Sequence, residues 1–555
     1  MSGYDQHAFK EQFENDFTYI NGFRRNTHRY RARAALTDPI RGRSWTYEEL
    51  DRVSNRLANA LLGDGVAKGD VVMFQLMNRV EFAFLYLAPQ KIGAIACPLN
   101  FRLAAGETAH AIDESRPAIF FYDAAFADVA AQALTLAKHR PKQVVCVGVA
   151  DGAGTIPGAV AFERYVERGE ERDPGIERPS GLYDETTRLY TSGTTGLPKG
   201  VPINNAVEIF SAHDVIMHFP LSPRDRTMNM TPWFHRGGLY SGGPNPVFYV
   251  GAEAVALERF DADLVLDYVE RYQITFLIGA PPNLKMLYDA QTARPRDLSS
   301  LKGIVTMGAP LEREACIRYQ RALSPNIFNG YGTTEAFWNT FLRPYDLPDK
   351  AGSAGRSCTD DDVAVVRVYP DRLADPTDHV AKDGKEVGEV IVRAPSKCSY
   401  TYVNDPERAA RTFHKGWVYI GDLATWDEEE YVTIVGRKDD MIISGGENVH
   451  PVQVEEVLNE HPQVLDSIVV GVRDERWGEI VTAYVLPRGS GLTAAELERH
   501  CSEHPMLAKY KRPRLYRFVE SLPYTATGKK LHYKVKEQAH EDRAAGLLVE
   551  PRPAT

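Results

Sequence analysis

Residues 189–201 read LYTSGTTGLPKGV, and the fold turns on what this run of small hydroxyls and glycines around one lysine holds. Glycines let successive backbone N–H groups turn toward one anion, Ser and Thr hydroxyls add donors, and a lysine adds charge. A Walker phosphate loop requires Gly-Lys-Ser/Thr, whereas here Pro198 precedes Lys199 and Gly200 follows it. Taken alone the stretch is either another kind of phosphate cradle or a Gly/Thr surface turn. Its surroundings decide.

Working outward, strand-like residues Thr187 to Tyr190 run into the loop and a helical pattern follows from Asn205. Apolar runs alternate with helical patterns along the first 430 residues or so: VVMFQLM (71–77), FAFLYLAPQKIGA, AIFFYD and QVVCVGV, then ITFLIGAPP (274–282) and GIVTMGAP (303–310). This alternation predicts an α/β fold with parallel strands, helices over them and ligands beyond the strand ends. From 363 to 435 the segments shorten (VAVVRVYP, GEVIVRAP, WVYIGDLATW, YVTIVGR), which reads as an antiparallel sheet or small barrel. A polar, glycine-broken stretch, RKDDMIISGGENVHP, precedes a helix opening on Pro451 and a small unit of about a hundred residues. The boundary is set at Arg437 to Asp440, dividing 1–436 from 437–555, and the last fifteen residues read as a frayed tail.

Composition narrows the function. A chain of 555 residues exceeds one core, and 43% hydrophobic with 25% charged residues is ordinary for a folded protein. The net charge, 65 − 75 = −10, disfavours nucleic acid as the main partner. Cys97, Cys146, Cys316, Cys358, Cys398 and Cys501 are scattered without a CxxC pair, so neither a zinc site nor a disulfide framework is expected, in keeping with a reducing cytoplasm. MSGYDQHAFKEQFENDF lacks the apolar core of a secretory signal, and no apolar run approaches the ~20 residues of a membrane span.

Six blocks in order carry a resemblance: YTSGTTGLPKG (190–200), PWFHRGG (232–238), NGYGTTEA (329–336), YIGDLA (419–424), GRKDDMIISGGENVHP (436–451) and TATGKK (525–530). Together they resemble the adenylate-forming superfamily, specifically its acyl-CoA and aryl-CoA synthetases, among them ligases of chlorobenzoate and of fatty acids. The resemblance implies an α/β N-terminal domain of two doubly wound subdomains plus a small β-barrel, followed by a small mobile α+β C-terminal domain. It also implies ATP, Mg²⁺ and coenzyme A as reactants, and a carboxylic acid activated first as its adenylate and then passed to the thiol. A homodimer is left open.

The resemblance assigns roles residue by residue. Thr191, Ser192, Gly193, Thr194, Thr195, Gly196 and Lys199 cradle the β- and γ-phosphates. Tyr331 stacks on adenine, Asn329 meets its edge, and Gly308, Ala309 and Pro310 line the other side, with Gly332 and Thr333 in the same block and Thr334 at the α-phosphate. Glu335, with Thr194 as a second candidate, is the metal ligand, since a hard Mg²⁺ takes one or two carboxylates; the alternative is a Glu serving a helix N-terminus. Asp422 and Arg437 bind the ribose hydroxyls. Lys529 is the catalytic lysine, and Lys530 beside it is expected in solvent. Arg102, Trp477, Tyr510, Arg512 and Arg514 suit the CoA nucleotide, an aromatic with guanidinium groups, and Gly445 and Gly446 the pantetheine tunnel. Asp439 is the hinge about which the C-terminal domain turns.

His235 is expected between carboxylate and thiol, with Trp233, Arg236, Gly330, Phe337 and Trp338 near the acyl group. Arg236 is the odd residue, because a guanidinium near an apolar pocket needs an acceptor. Either it points away to a surface carboxylate or the acid carries a second polar group. The acid reads as aromatic or medium-chain fatty. Loading of a carrier protein, a luciferase-like oxidation of the adenylate and a non-catalytic nucleotide sensor are the alternatives.

Overall fold

Strand Val71–Gln75 is buried at every position, and the helix after it, Val80–Lys91, is buried on all sides. Such a pair belongs at the centre of a sheet covered on both faces. Lys91 tolerates its place at the helix end by donating to Asp51 at 2.7 Å. The computed structural model describes residues 5–148, 156–191, 198–369, 371–444, 447–474, 477–504, 507, 509–525 and 528–551.

A seven-stranded sheet runs in the order Val160–Ala161, Gln143–Val147, Ile119–Asp123, Val71–Gln75, Ile95–Pro98, Glu185–Thr191, Lys199–Asn204. Its pairs are parallel up to the last, a hairpin that sets Thr191 opposite Lys199. The helix expected after the loop, Asn205–His218, is therefore preceded by a returning antiparallel strand. A nine-stranded sheet follows the order Arg356–Ser357, Phe337–Leu342, Ile327–Thr333, Gly303–Met307, Phe276–Gly279, Arg226–Asn229, Glu253–Val255, Ala34–Asp38, Arg43–Thr46. Six central strands are parallel, and antiparallel strands close both flanks. The 363–435 region forms a five-stranded antiparallel sheet in which Trp417–Trp426 pairs with Val432–Arg437 and places Asp422 opposite Arg437.

Beyond the short turn Lys438–Asp440, on which Asp439 is exposed, a further five-stranded sheet carries helices Pro451–Glu460 and Ala494–Glu503 on a core of its own, including Val454, Leu458, Val469, Val481 and Leu497. Of the last fifteen residues, the described ones, 541–551, are ordered rather than frayed. Helix His532–Ala544 buries Asp542, which accepts from Tyr484 at 2.7 Å, and Val549 exchanges two backbone hydrogen bonds with Tyr516 at 2.9 and 2.8 Å. These bonds hold the tail as an extra edge residue against strand Leu515–Phe518. Among the described residues no helix is long and apolar enough to cross a membrane.

Candidate active site

The ends of both parallel sheets and the antiparallel sheet supply one cleft. The Tyr331 hydroxyl donates to Asp422 Oδ2 at 2.7 Å, and Arg437 Nη1 donates to Asp422 Oδ1 at 2.9 Å while its Nη2 meets the Ile420 carbonyl at 3.0 Å. Asp422 thus has both oxygens oriented by neighbours while it stays partly accessible. Asn329 is buried, donating to the Ser353 carbonyl at 3.1 Å, and its own carbonyl oxygen has no partner. Gly308, at φ +86°, opens the Gly308-Ala309-Pro310 turn next to the cleft, where a Cβ would come within 3.8 Å of Lys529 Cε. Ser192, Gly193, Thr194, Thr195 and Gly196 lie outside the described residues, while Thr191 and Lys199 bracket them on the hairpin.

The NGYGTTEA block turns back as a hairpin. Strand Ile327–Thr333 runs through it and strand Phe337–Leu342 returns, so Glu335 sits in a turn, not at a helix N-terminus. Phe337 takes φ +59°, a strained value for an aromatic residue, and Gly332 faces its carbonyl so closely that a Cβ would lie 1.6 Å from that oxygen. The Thr333 hydroxyl accepts from Ala336 N at 3.1 Å. Glu335 Oε1 accepts from the Tyr402 hydroxyl at 2.7 Å, and among the described residues no cation pairs with it. A half-buried carboxylate with one oxygen uncommitted is a fitting donor for a hard cation.

Lys529 projects from the C-terminal unit into this cleft. Its side chain is exposed, yet enough protein lies around the cleft mouth that desolvation lowers its pKa, against the attraction of Asp422 and Glu335. Lys285 Nζ reaches the Leu465 carbonyl at 2.8 Å, and Gly528 lies against Pro282, so the two units are docked around the lysine. Lys530 is not in open solvent as expected. It pairs with Glu455 at 2.9 Å and Asp466 at 3.0 Å, because its side chain turns back into its own unit.

On the acyl side, His235 opens the short helix Arg236–Tyr240. Its Nε2 is buried without a partner, and desolvation, then Lys529 and Arg102, push its pKa down to about 3. It is therefore a neutral imidazole at any working pH. Trp233 is a core residue, packed against Phe82 with ring centroids 5.6 Å apart. Phe337 and Trp338 stack at 4.9 Å, and Gly330 leaves room beside the Trp338 indole nitrogen, where a Cβ would approach to 3.1 Å. Arg236 does not reach a surface carboxylate. It is 3% exposed and donates to the carbonyls of Thr334 and Lys397 and to the Ser211 hydroxyl.

The CoA set is divided. Arg102 acts on His235 from the N-terminal side. In the C-terminal unit, Arg514 covers the Trp477 ring at 4.2 Å and Arg512 pairs with Glu498 at 2.8 Å. Gly445 and Gly446 lie outside the described residues, as does the side chain of Tyr510. Sequence reasoning missed Tyr402, which holds Glu335, and Lys397, whose carbonyl holds Arg236. Neither stands in a motif with a recognisable spacing, and only packing brings them in.

Comparison with known proteins agrees with this geometry. The family model described as AMP-binding enzyme matches residues 23–400, and the AMP-binding enzyme C-terminal domain matches 453–529. The chain is 33% identical to an indoleacetate–CoA ligase of Aromatoleum aromaticum over 503 residues, covering 88% of this chain and 92% of that protein. It is 32% identical to a long-chain-fatty-acid–CoA ligase of Mycobacterium tuberculosis over 510 residues, 91% of this chain and 95% of that one. The solved anthranilate CoA ligase in complex with anthranoyl-AMP superposes with a TM-score of 0.84 at 26% identity, over 95% of this chain and 98% of that one. With Lys529, Asp422, Arg437 and Glu335 gathered in one cleft between two such units, the chain belongs to the AMP-binding enzyme family as an AMP-forming acid–thiol ligase.

Proposed function

We propose that the protein joins a carboxylic acid to coenzyme A at the expense of Mg²⁺-ATP, through an acyl-adenylate, and that the acid is aromatic or a medium-chain fatty acid. The observation that carries this reading is the approach of the Lys529 ammonium to the cleft of Asp422 and Glu335. In the first step a carboxylate oxygen bonds to the α-phosphorus and the bond to the β-phosphate oxygen breaks, releasing pyrophosphate. Two anions meet there, and Lys529 offsets the charge that develops. Asp422 and Arg437 hold the ribose, Tyr331 the adenine, and Thr334 the α-phosphate. Glu335, with Thr194, would hold Mg²⁺, which shields the phosphate charges. In the second step the CoA sulfur bonds to the carbonyl carbon and AMP leaves. His235, neutral by burial, lines the path between carboxylate and thiol without adding charge.

Arg102, Trp477, Tyr510, Arg512 and Arg514 are assigned to the CoA nucleotide and Gly445 and Gly446 to the pantetheine arm. Their division between the units supports a rotation that gathers them after adenylation. We assign the domain boundary to 437–440 and the hinge to Asp439, which is exposed on a short turn. Asp439→Pro fixes φ near −65°. It should separate the half-reactions, one arrangement being favoured and the step that needs the other falling by at least ~10-fold, about 1.4 kcal/mol of barrier. Pyrophosphate exchange and thioester formation measured side by side decide this: equal slowing, or no slowing, removes residue 439 from the hinge.

Incubation with ATP, Mg²⁺ and a panel of acids, with and without CoA, tests the whole reading. A thioester that appears only with CoA supports it. Pyrophosphate release with no thioester under any condition refutes it in favour of carrier loading.

A further inference from the structure

Arg236 is a buried cation whose hydrogen bonds go only to neutral acceptors. Nη1 donates to the Thr334 carbonyl at 2.6 Å, and Nη2 to the Lys397 carbonyl at 3.0 Å and the Ser211 hydroxyl at 3.2 Å. Nε is buried with no partner. The guanidinium lies beside two rings that touch each other edge-on, 5.4 Å from the Tyr240 centroid and 5.5 Å from that of Phe337, with the two centroids 6.0 Å apart. Both rings face the cation with their apolar surfaces, so it is desolvated on that side.

Among the described residues no carboxylate forms an ion pair with it. Glu208 and Glu335 attract it from a distance, and desolvation still lowers its pKa. Both acids are engaged elsewhere: Glu208 accepts from Thr187 and Tyr86 at 2.6 Å and from Asn245 at 2.7 Å, and Glu335 accepts from Tyr402. A charge buried without a counter-ion is unfavourable, and packing alone would be served better by an apolar side chain. The residue before it is His235, at the reacting end of the acid, and its ring neighbour Phe337 stacks on Trp338 of the acyl side.

We infer that the missing counter-ion arrives with the substrate: the acid carries a second oxyanion, a carboxylate or sulfonate, which Arg236 takes through Nε while the first carboxylate reacts beside His235, so that of the acids proposed above a simple medium-chain fatty acid is set aside. With both Nη2 protons already donated, Nε offers the oxyanion a single charge-assisted hydrogen bond. The inference rests on the ligase reading, and it makes Arg236 a specificity-determining residue for that reaction.

The test is acid-dependent pyrophosphate exchange by the full-length enzyme with matched acids: succinate, glutarate, phthalate and sulfoacetate against butyrate, hexanoate, benzoate and indole-3-acetate. A preference for one or more dianionic acids over every monoacid is expected, and the ratio should fall at least ~10²-fold in Arg236→Met, as when one partner of a buried charge pair is truncated. Arg236→Lys, which keeps charge without Nε, should retain part of the preference. Wild-type exchange that favours a monoacid overturns the inference while leaving the ligase reading intact, and it does so even where the Met variant fails to fold. Equal loss of both classes in a folded Met variant also overturns it, marking Arg236 as a strut for the Thr334 turn. No exchange with any acid overturns the ligase reading itself, and the inference with it.

Discussion

Lys529→Ala slows acyl-adenylate formation by about 10²- to 10³-fold, the usual cost of removing one oriented charge from a transition state, while transfer from supplied acyl-AMP to CoA continues. The expectation follows from where the ammonium lies, close enough to Asp422, Arg437 and Glu335 for their charges to act on it. Pyrophosphate exchange reads the first half-reaction, and thioester formation from the pre-made adenylate reads the second. Equal damage to both would show that the lysine holds the domains together instead. A pH profile adds a second check. Desolvation lowers the Lys529 pKa, so the charged form is lost earlier as pH rises than for a free lysine, and adenylation should decline on the alkaline side below the ordinary lysine value. Lys529→Arg, which stays charged, should lack that alkaline limb even where its rate is lower.

Lys397→Met destabilises the protein by about 3–5 kcal/mol, the range for removing one member of a buried ion pair. The Lys397 ammonium is almost wholly buried and sits 2.5 Å from Asp214 Oδ2, 2.8 Å from Asp361 Oδ2 and 2.6 Å from the Trp338 carbonyl. Polar atoms of Asp214, His218 and Cys358 lie within 4.8 Å of one another; Lys397 acts on Asp214 and Cys358, and Arg343 reaches His218 Nδ1 at 2.8 Å. One ammonium between two carboxylates leaves an excess negative charge, and burial with Asp214 nearby raises the Asp361 pKa from 3.8 to about 6. A raised carboxyl pKa contributes stability that is present at low pH and lost as pH rises through about 6. In the Met variant the two carboxylates lose the ammonium between them, and Asp214 keeps only His218, itself bonded to Arg343, so the loss should be larger at pH 8 than at pH 5. Denaturant titration at both pH values measures it. A double variant that adds Asp214→Asn should recover part of the loss, and no recovery would show that packing, not charge, is the cause.

The motifs were legible because they are local. A strand buried throughout, as at Val71–Gln75, and a cap such as Thr46 with Glu49 at the start of helix Tyr47–Gly63 are written in a few adjacent residues. Glycine-rich turns at strand ends likewise mark where a ligand can approach, so Tyr331, Asp422, Arg437 and Lys529 could be named from their blocks, and the structure brings them to one cleft. The polar, glycine-broken stretch after Gly436 is the ground for the proposed boundary at Arg437 to Asp440. The tail was misread because residues 541–551 lack an apolar pattern. Their order comes from Asp542 meeting Tyr484 and from Val549 pairing with Tyr516, partners far back along the chain.

What the sequence by itself determined, then, is the sheet-and-helix framework and the chemistry of the loops that end its strands, both of which depend on spacing over a few residues. The surroundings of the acyl end were decided only in three dimensions. Arg236 finds Thr334 across 98 positions and Lys397 across 161, Tyr402 reaches Glu335 across 67, and Lys397 reaches Asp214 across 183. A side chain of this kind chooses its partner by distance and desolvation inside a packed core, and neither quantity is encoded in the periodicity of the chain. The sequence therefore placed a charge beside His235, and only the tertiary structure, by enclosing that charge without a counter-ion, turned it into a statement about the substrate.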